Sequence, residues 1–484
     1  MINMHFNVFI SVLRYGFLSI FWLFAQITLA IVLFPFPGTQ RDILKKIKSF
    51  YIKERNEIIF HQNFFSKKIF PYGNYLSPAL EKHCIQTVPS ETTALKPIVY
   101  WGETTQMTLK GNKFQTKETV TLRLKNISIF SELLGVIHQG NLYSPLTSKP
   151  SPQCFEVYNY RKNILRDENH IFWLDHFAKN IFLKIRHPFK KIKKQSPIPV
   201  EKLIYATNQI GYVDNYFHFI VDVLPSYIQS MESVKKSDRK SWKIGIAESP
   251  HKNITDTIKS VAAYYGFNDF FELNKNQIVD CQDVISTSYP SYIWDDLPED
   301  NFSYSRELLL KTAEVLKKIS TEELSEFNDL NSEIVYITRR KQVKSSLTPT
   351  RCTLNAEELA TCIQTEFSGK VFETSDLTNA LQQAIFSKAK IIIVDAGATL
   401  ANVVYAGPDQ HIVILTQPDY NDASIFAPMI QCFTKNVYFV FGKTKTEYGL
   451  DRWHSPYIVD AEEFKKCIRG ILEGDFQSRA GVIA

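Results

Sequence analysis

The chain has 484 residues, 44% hydrophobic, 13% aromatic and 22% charged, which excludes wholesale disorder and suits about two to four domains. Lysine and arginine exceed aspartate and glutamate by only 56 to 50, so a histone-like electrostatic binder is excluded as well. The seven cysteines are scattered, with no C-x-x-C pair to begin a zinc or thioredoxin site, and their odd number favours reduced thiols in a cytosolic setting.

The chain opens on a membrane signal. Residues 17–36 read FLSIFWLFAQITLAIVLFPF, within an uncharged run from Tyr15 to Gln40. About 20 apolar residues suffice to cross a hydrocarbon layer of about 30 Å. Arg14 stands on one side, and Arg41, Lys45, Lys46, Lys48, Lys53 and Arg55 crowd the other. The positive-inside rule then puts the rest of the chain in the cytoplasm, anchored at the cell inner membrane. Pro35 and Pro37 leave a re-entrant insertion open beside a full crossing.

Residues 41–90 read as mixed helix and loop. From 95 to 150, alternation and β-branched residues in IVYW, TVTLRLKNISIF and GVIHQGNLY predict short strands. Residues 172–194, FWLDHFAKNIFLKIRHPFKKIKK, set basic side chains beside bulky apolar ones. They suit an anionic lipid surface or a solvated linker, and lack the spaced aromatics that a nucleic-acid module needs.

Beyond Pro199 strand-like and helix-like pieces alternate. Strands are expected at 203–207, 242–248, 282–288, 333–340, 390–397, 411–416 and 436–442. Helices are expected at 216–230, 253–266, 306–320, 355–364 and 377–389, with a short one at 401–407. Such alternation indicates βαβ units and parallel sheets with ligand at the carboxyl ends of the strands. The expected division is 1–40 membrane anchor, 41–196 β-containing N-terminal region, and two Rossmann-type α/β lobes at 197–325 and 326–484.

Three constellations carry chemistry. In Asn215-Tyr216-Phe217-His218-Phe219-Ile220-Val221-Asp222, His218 and Asp222 are i,i+4 neighbours on one helix face. Either could be the general base for a hydroxyl nucleophile, with the other orienting or tuning it, or the pair could simply satisfy a core helix. After the strand ending at Thr338 come Arg339, Arg340 and Lys341, with Arg351 nearby, cations placed where phosphate oxygens are gripped. Gly397, Ala398, Thr399 and Asn402 follow an apolar strand and let backbone N–H groups approach an anion. P-loop, G-x-G-x-x-G, H-E-x-x-H and G-x-S-x-G motifs are all missing. So is Asp-x-Asp, which leaves no carboxylate clamp for a metal-bound nucleotide sugar and points to Arg/Lys as the stabilisers of a leaving phosphate.

In order and spacing, NYFHFIVDVLP at 215–225, VYITRRK at 335–341 with Arg351 and NAEEL at 355–359, and LQQAIFSKAKIIIVDAGATLANVVYA at 381–406 resemble glycosyltransferase family 61, including its bacterial capsular and surface-polysaccharide members. The resemblance implies a GT-B-like pair of lobes and inverting, metal-independent transfer from a nucleotide sugar to a glycan or lipid-linked glycan hydroxyl. It puts His218 and Asp222, with Asn215 and Tyr216, on the acceptor side. Arg339, Arg340, Lys341, Arg351 and the 397–402 turn fall on the donor side. No cofactor or metal is expected. Where the family commonly has His before Gly-Ala-Gly-Leu-Thr-Asn, this chain has Ala396 before Gly-Ala-Thr-Leu-Ala-Asn. That departure keeps open a second reading, a catalytically silent, membrane-tethered sugar-binding or scaffold subunit.

Overall fold

Runs of β-branched and aromatic residues make the strands, and the side chains of Ser305, Thr378 and Asp460 cap the starts of three helices. The computed structural model describes residues 69–71, 83–102, 113–116, 118–130, 136–138, 141–144, 197–206, 215–247, 252–274, 278–288, 304–320, 330, 334–341, 351–418, 422–446, 455–477, 479 and 481–483. Both membrane-directed segments, 15–40 and 172–194, lie outside them. Among the described residues no helix is long and apolar enough to cross a membrane.

Strands β1 (Ile69–Pro71), β2 (Cys84–Val88), β3 (Thr92–Ala94), β4 (Ile98–Trp101), β5 (Lys113–Gln115), β6 (Thr119–Phe130), β7 (Val136–His138) and β8 (Asn141–Ser144) come first. Then follow β9 (Ile198–Ile204), α1 (Leu224–Glu232), β10 (Lys243–Ala247), α2 (Lys252–Tyr264), β11 (Phe270–Leu273), β12 (Ile278–Thr287) and α3 (Arg306–Ile319). The next elements are β13 (Ile334–Thr338), α4 (Ala356–Glu366), β14 (Lys370–Glu373), α5 (Asn379–Lys388), β15 (Ile391–Asp395) and β16 (His411–Thr416). The chain closes with α6 (Asp422–Ile430), β17 (Asn436–Phe441), β18 (Lys443–Thr444), β19 (Tyr457–Ile458), α7 (Ala461–Glu473) and β20 (Gly481–Ile483).

The first sheet has β12, β9, β10 and β11 as parallel neighbours, extended by β6, which runs antiparallel to β12. Within the parallel part the order is 3-2-1-4, so the direction of winding reverses between β9 and β12. The second sheet runs β14-β13-β15-β16-β17-β4-β20. Its first five strands have the doubly wound order 2-1-3-4-5, with the reversal between β13 and β15. Strands β13 and β15 are buried along their whole length, as their unalternating sequences IVYIT and IIIVD require of strands covered on both faces. The α/β class expected from the alternation is therefore what the chain adopts.

One hydrophobic core joins the two sheets. It contains Ile204 and Ile244 from the first, Val335, Ile392 and Ile414 from the second, and Ile220, Leu224 and Leu309 from the helical segments between. The opposite face of the second sheet packs Tyr336, Ile393 and Leu415 under α4 and α7.

Several elements differ from expectation. Residues 84–88, within a stretch read as helix and loop, form β2, because CIQTV alternates along the edge of β6. Strand β9 begins at Ile198, through Pro199, since β10 pairs only with its last residues and a proline is tolerated where one side lacks a partner. The short helix expected at 401–407 is a 3-10 helix, Ala398–Tyr405. Helix α7 was not anticipated, although Asp460 caps it, Glu462 and Glu463 fill its first turn, and left-handed Gly474 ends it.

Strand β4 pairs with β17 and β20, so part of the N-terminal region is built into the second sheet. Gly102, at φ 85, lets the chain leave β4, and a Cβ there would run into the carbonyl oxygen of Phe441. Gly266, at φ 82, has nothing within 4 Å of the same position. Gly266→Ala is expected to cost about 1 kcal/mol in urea unfolding, the strain of a left-handed alanine. Gly102→Ala should cost at least twice that, because β4 must also shift off β17; equal costs would show that the β4–β17 contact bears no strain.

Candidate functional site

The turn that follows β9 is shaped by its own sequence. Asn215 caps it, its side-chain oxygen accepting from Phe217 N–H at 3.0 Å. One helical turn, Tyr216–His218, passes into a π-helical turn, Phe219–Val223, in which Leu224 N–H reaches back to Phe219 O. Pro225 has no N–H to continue the ordinary ladder, which is a local reason for the widened turn. The turn is held to the end of β12 by Ser226, whose hydroxyl lies 3.0 Å from Asp222 O and 3.2 Å from Ser288 O.

His218 Nδ1 stands 2.9 Å from Asp222 Oδ2. The Asp222 side chain is fully buried, whereas that of His218 keeps 13% exposure. Burial pushes the Asp222 carboxyl above the usual range, and its hydrogen bond with His218 pulls the other way. An ionised Asp222 accepts from Nδ1–H, which leaves Nε2 as the basic nitrogen of the ring.

The donor-side cations separate in space. Arg340 pairs with Glu357 at 3.2 Å, and the mostly exposed Lys341 pairs with Asp376 at 2.5 Å. Arg339 goes elsewhere. Its Nη1–H donates to Arg351 O at 3.2 Å, and its Nη2 fills the space that a side chain at Gly397 would need. Among the described residues, no carboxylate comes within ion-pairing distance of this guanidinium. Arg351 itself is left-handed, at φ 47, which presents its carbonyl to Arg339. Gly397, at φ 154, opens the 3-10 helix. Arg339 follows β13 and Gly397 follows β15, so the pair occupies the point where the winding of the second sheet reverses.

The two sides meet. Tyr216 O–H donates to Asn402 Oδ1 at 3.1 Å. Asn402 Nδ2–H donates to Gln382 Oε1 at 2.6 Å and lies 3.1 Å from Thr399 O. Next to this chain, Gln383 Nε2–H donates to Tyr405 Oη at 3.0 Å. Thr399 is buried, while Ala398 is partly exposed and packs against the shared core. Asn215, Tyr216, Arg339, Gly397 and Asn402 thus come together around the two strand-end turns. Arg340 and Lys341 turn to surface carboxylates.

Three residues escaped the sequence reading. Asp395, the last residue of β15, is buried, with Thr353 Oγ1–H donating to its Oδ1 at 2.5 Å. Tyr457 Oη lies 3.0 Å from the same oxygen and 2.7 Å from Leu415 O. A carboxylate closing an otherwise apolar strand was the one signal available for this group. The described cysteines are all free thiols, five of them buried.

Residues 216–413 match the family model described as Glycosyltransferase 61. The matched span begins at Tyr216 and takes in His218, Asp222, Arg339, the Gly397 turn and Asn402, and it supports reading this part of the chain as a glycosyltransferase. No curated protein matches the chain.

A methyl group at position 397 must displace Arg339. Gly397→Ala is expected to cost about 1–2 kcal/mol in chemical denaturation. In an Arg339→Ala background the cost should fall to the backbone strain alone, and an unchanged cost would show that the two residues are not in contact.

Proposed function

We propose that this protein is an inverting, metal-independent glycosyltransferase that moves a sugar from a nucleotide-sugar donor to a hydroxyl of a glycan or lipid-linked glycan. The observation that carries the reading is the facing of two strand-end turns. A His–Asp pair stands where the first sheet reverses, an arginine against a glycine turn stands where the second reverses, and Tyr216 and Asn402 join them. Ligands of doubly wound sheets bind at such reversal points.

In the proposed reaction His218 Nε2 takes the acceptor proton. The acceptor oxygen forms its bond to the anomeric carbon as the bond from that carbon to the donor phosphate breaks, and its electron pair leaves on the nucleoside diphosphate. Arg339 and the N–H groups of the turn after Gly397 stabilise that charge. Attack opposite the leaving group inverts the anomeric centre. His218 is favoured over Asp222 as the base because the imidazole retains exposure and the carboxylate has none. Asp222 then fixes the tautomer and steadies the imidazolium.

The lobes at 197–325 and 326–484 are proposed as the acceptor and donor halves of a GT-B arrangement. The apolar run at 15–40 is proposed as an inner-membrane anchor with the catalytic part on the cytoplasmic side, in surface-polysaccharide synthesis. A tether to the bilayer that holds a lipid-linked acceptor raises the effective concentration of both partners.

A screen of nucleotide sugars, read by release of free nucleoside diphosphate with an acceptor glycan, tests the activity. His218→Gln should lower transfer by about 10²–10⁴-fold. Asp222→Asn should also lower it strongly while leaving the melting temperature unchanged or raised, because a neutral isostere replaces a buried charge. Full activity of both variants would remove the pair from the chemistry. Deleting residues 1–40 should move the protein from the membrane to the soluble fraction, and its retention in the membrane would locate the anchor elsewhere.

A further inference from the structure

Asp395 is an expensive residue for its position. A carboxylate at 2% exposure closes a strand whose other residues are Ile and Val, and only one of its oxygens is hydrogen-bonded. Oδ1 faces the hydroxyls of Thr353 and Tyr457, and among the described residues Oδ2 has no hydrogen-bond partner. A buried charge left half unsatisfied costs stability unless something nearby uses it. A cation at hand is Arg339, which leaves the end of the neighbouring strand β13 and has no carboxylate within ion-pairing distance among the described residues.

We propose that Asp395 is a positioning residue, whose one-sidedly bonded carboxylate holds the Arg339 guanidinium against the Gly397 turn in the orientation that grips a diphosphate. The inference rests on the reading of Arg339 as the donor's diphosphate-binding cation. Three features together define where the guanidinium sits. Gly397 supplies the space, the carbonyl of left-handed Arg351 takes one N–H, and Asp395 ends the strand beside the one that Arg339 leaves. Among the influences that oppose the rise of the Asp395 carboxyl on burial, Arg339 is the strongest, ahead of the Thr353 and Tyr457 hydroxyls. Thr353 and Tyr457 set the carboxylate in turn, and a parallel β-bridge joins the two residues. Asp395 does not touch the donor; it acts through Arg339.

The test turns on a sign. A bystander carboxylate near an anion site repels the anion, so neutralising it strengthens binding. A positioning carboxylate does the reverse. The probe is inorganic pyrophosphate, titrated calorimetrically into the full-length protein, with Arg339→Gln as the reference for loss of the site. Asp395→Asn is expected to weaken binding about 3- to 30-fold, and to weaken it no further in the Arg339→Gln background, the non-additivity of two residues that act as one. The Arg339 Nε–H resonance should move in Asp395→Asn, a signature that loss of packing elsewhere does not produce. Tyr457→Phe, which keeps the ring, should give a smaller loss in the same direction and secures the test should Asp395→Asn fold poorly. Unchanged or tighter binding in both variants would overturn the proposal, as would a full extra loss in the Arg339→Gln background. If the wild type and Arg339→Gln bind pyrophosphate equally, or neither binds it, the diphosphate role of Arg339 falls, and this inference with it.

Discussion

Tyr216 and Asn402 meet 186 residues apart in sequence, inside the core shared by both sheets, and the rest of the site is arranged around that contact. Apolar burial draws the two sheets together but has no direction of its own. Hydrogen bonds supply the direction. The Asn402 amide uses its oxygen on Tyr216 and its nitrogen on Gln382 and Thr399 O, so sliding one sheet past the other would strand buried polar atoms on both sides. Because Tyr216 lies two residues before His218 and Asn402 lies five after Gly397, fixing this pair also fixes the separation between the imidazole turn and the arginine turn.

Two buried carboxylates sit at the working ends of the strands and helices, and neither stabilises the fold simply by being there. Asp222 and Asp395 are both driven upward in pKa by burial. In each case one partner group answers the charge, His218 for Asp222 and Arg339 for Asp395. Isoleucine or leucine of similar size would satisfy the apolar surroundings at lower cost. Retaining acids here concentrates strain where groups must be aimed, beside a π-helical turn in the first case and a left-handed residue in the second.

Much of this was legible in the sequence. Unalternating β-branched runs such as IIIVD and HIVILT name themselves as buried parallel strands, and their alternation with helices predicts βαβ units and parallel sheets. The His218–Asp222 pairing follows from four residues on a helix. What the sequence hid was long-range or sub-residue geometry. Three consecutive cations after a strand look equivalent, yet only Arg339 meets a glycine across the neighbouring strand, while Arg340 and Lys341 find Glu357 and Asp376. Tyr457 approaches Asp395 across 62 residues, with no local pattern to announce it. Strand β4, far upstream of its neighbours, adds to an edge that the later strands leave open.

The departure at position 396 can be understood in the same terms. Ala396 N–H continues the ladder to Leu415 O, and its methyl group packs into the shared core, so the backbone of the turn does not need an imidazole there to hold its shape. A histidine at this position would have to place its ring where the methyl group now meets the shared core. One residue on, Arg339 from the adjacent strand brings a guanidinium against Gly397. Such a cation stays charged throughout the accessible pH range and offers a planar fork to a phosphate, whereas an imidazole offers one N–H and titrates near neutrality. In the proposed reaction, alanine at this position leaves the donor side without a titrating imidazole, and proton transfer on the His218 turn stays separate from charge stabilisation on the Gly397 turn.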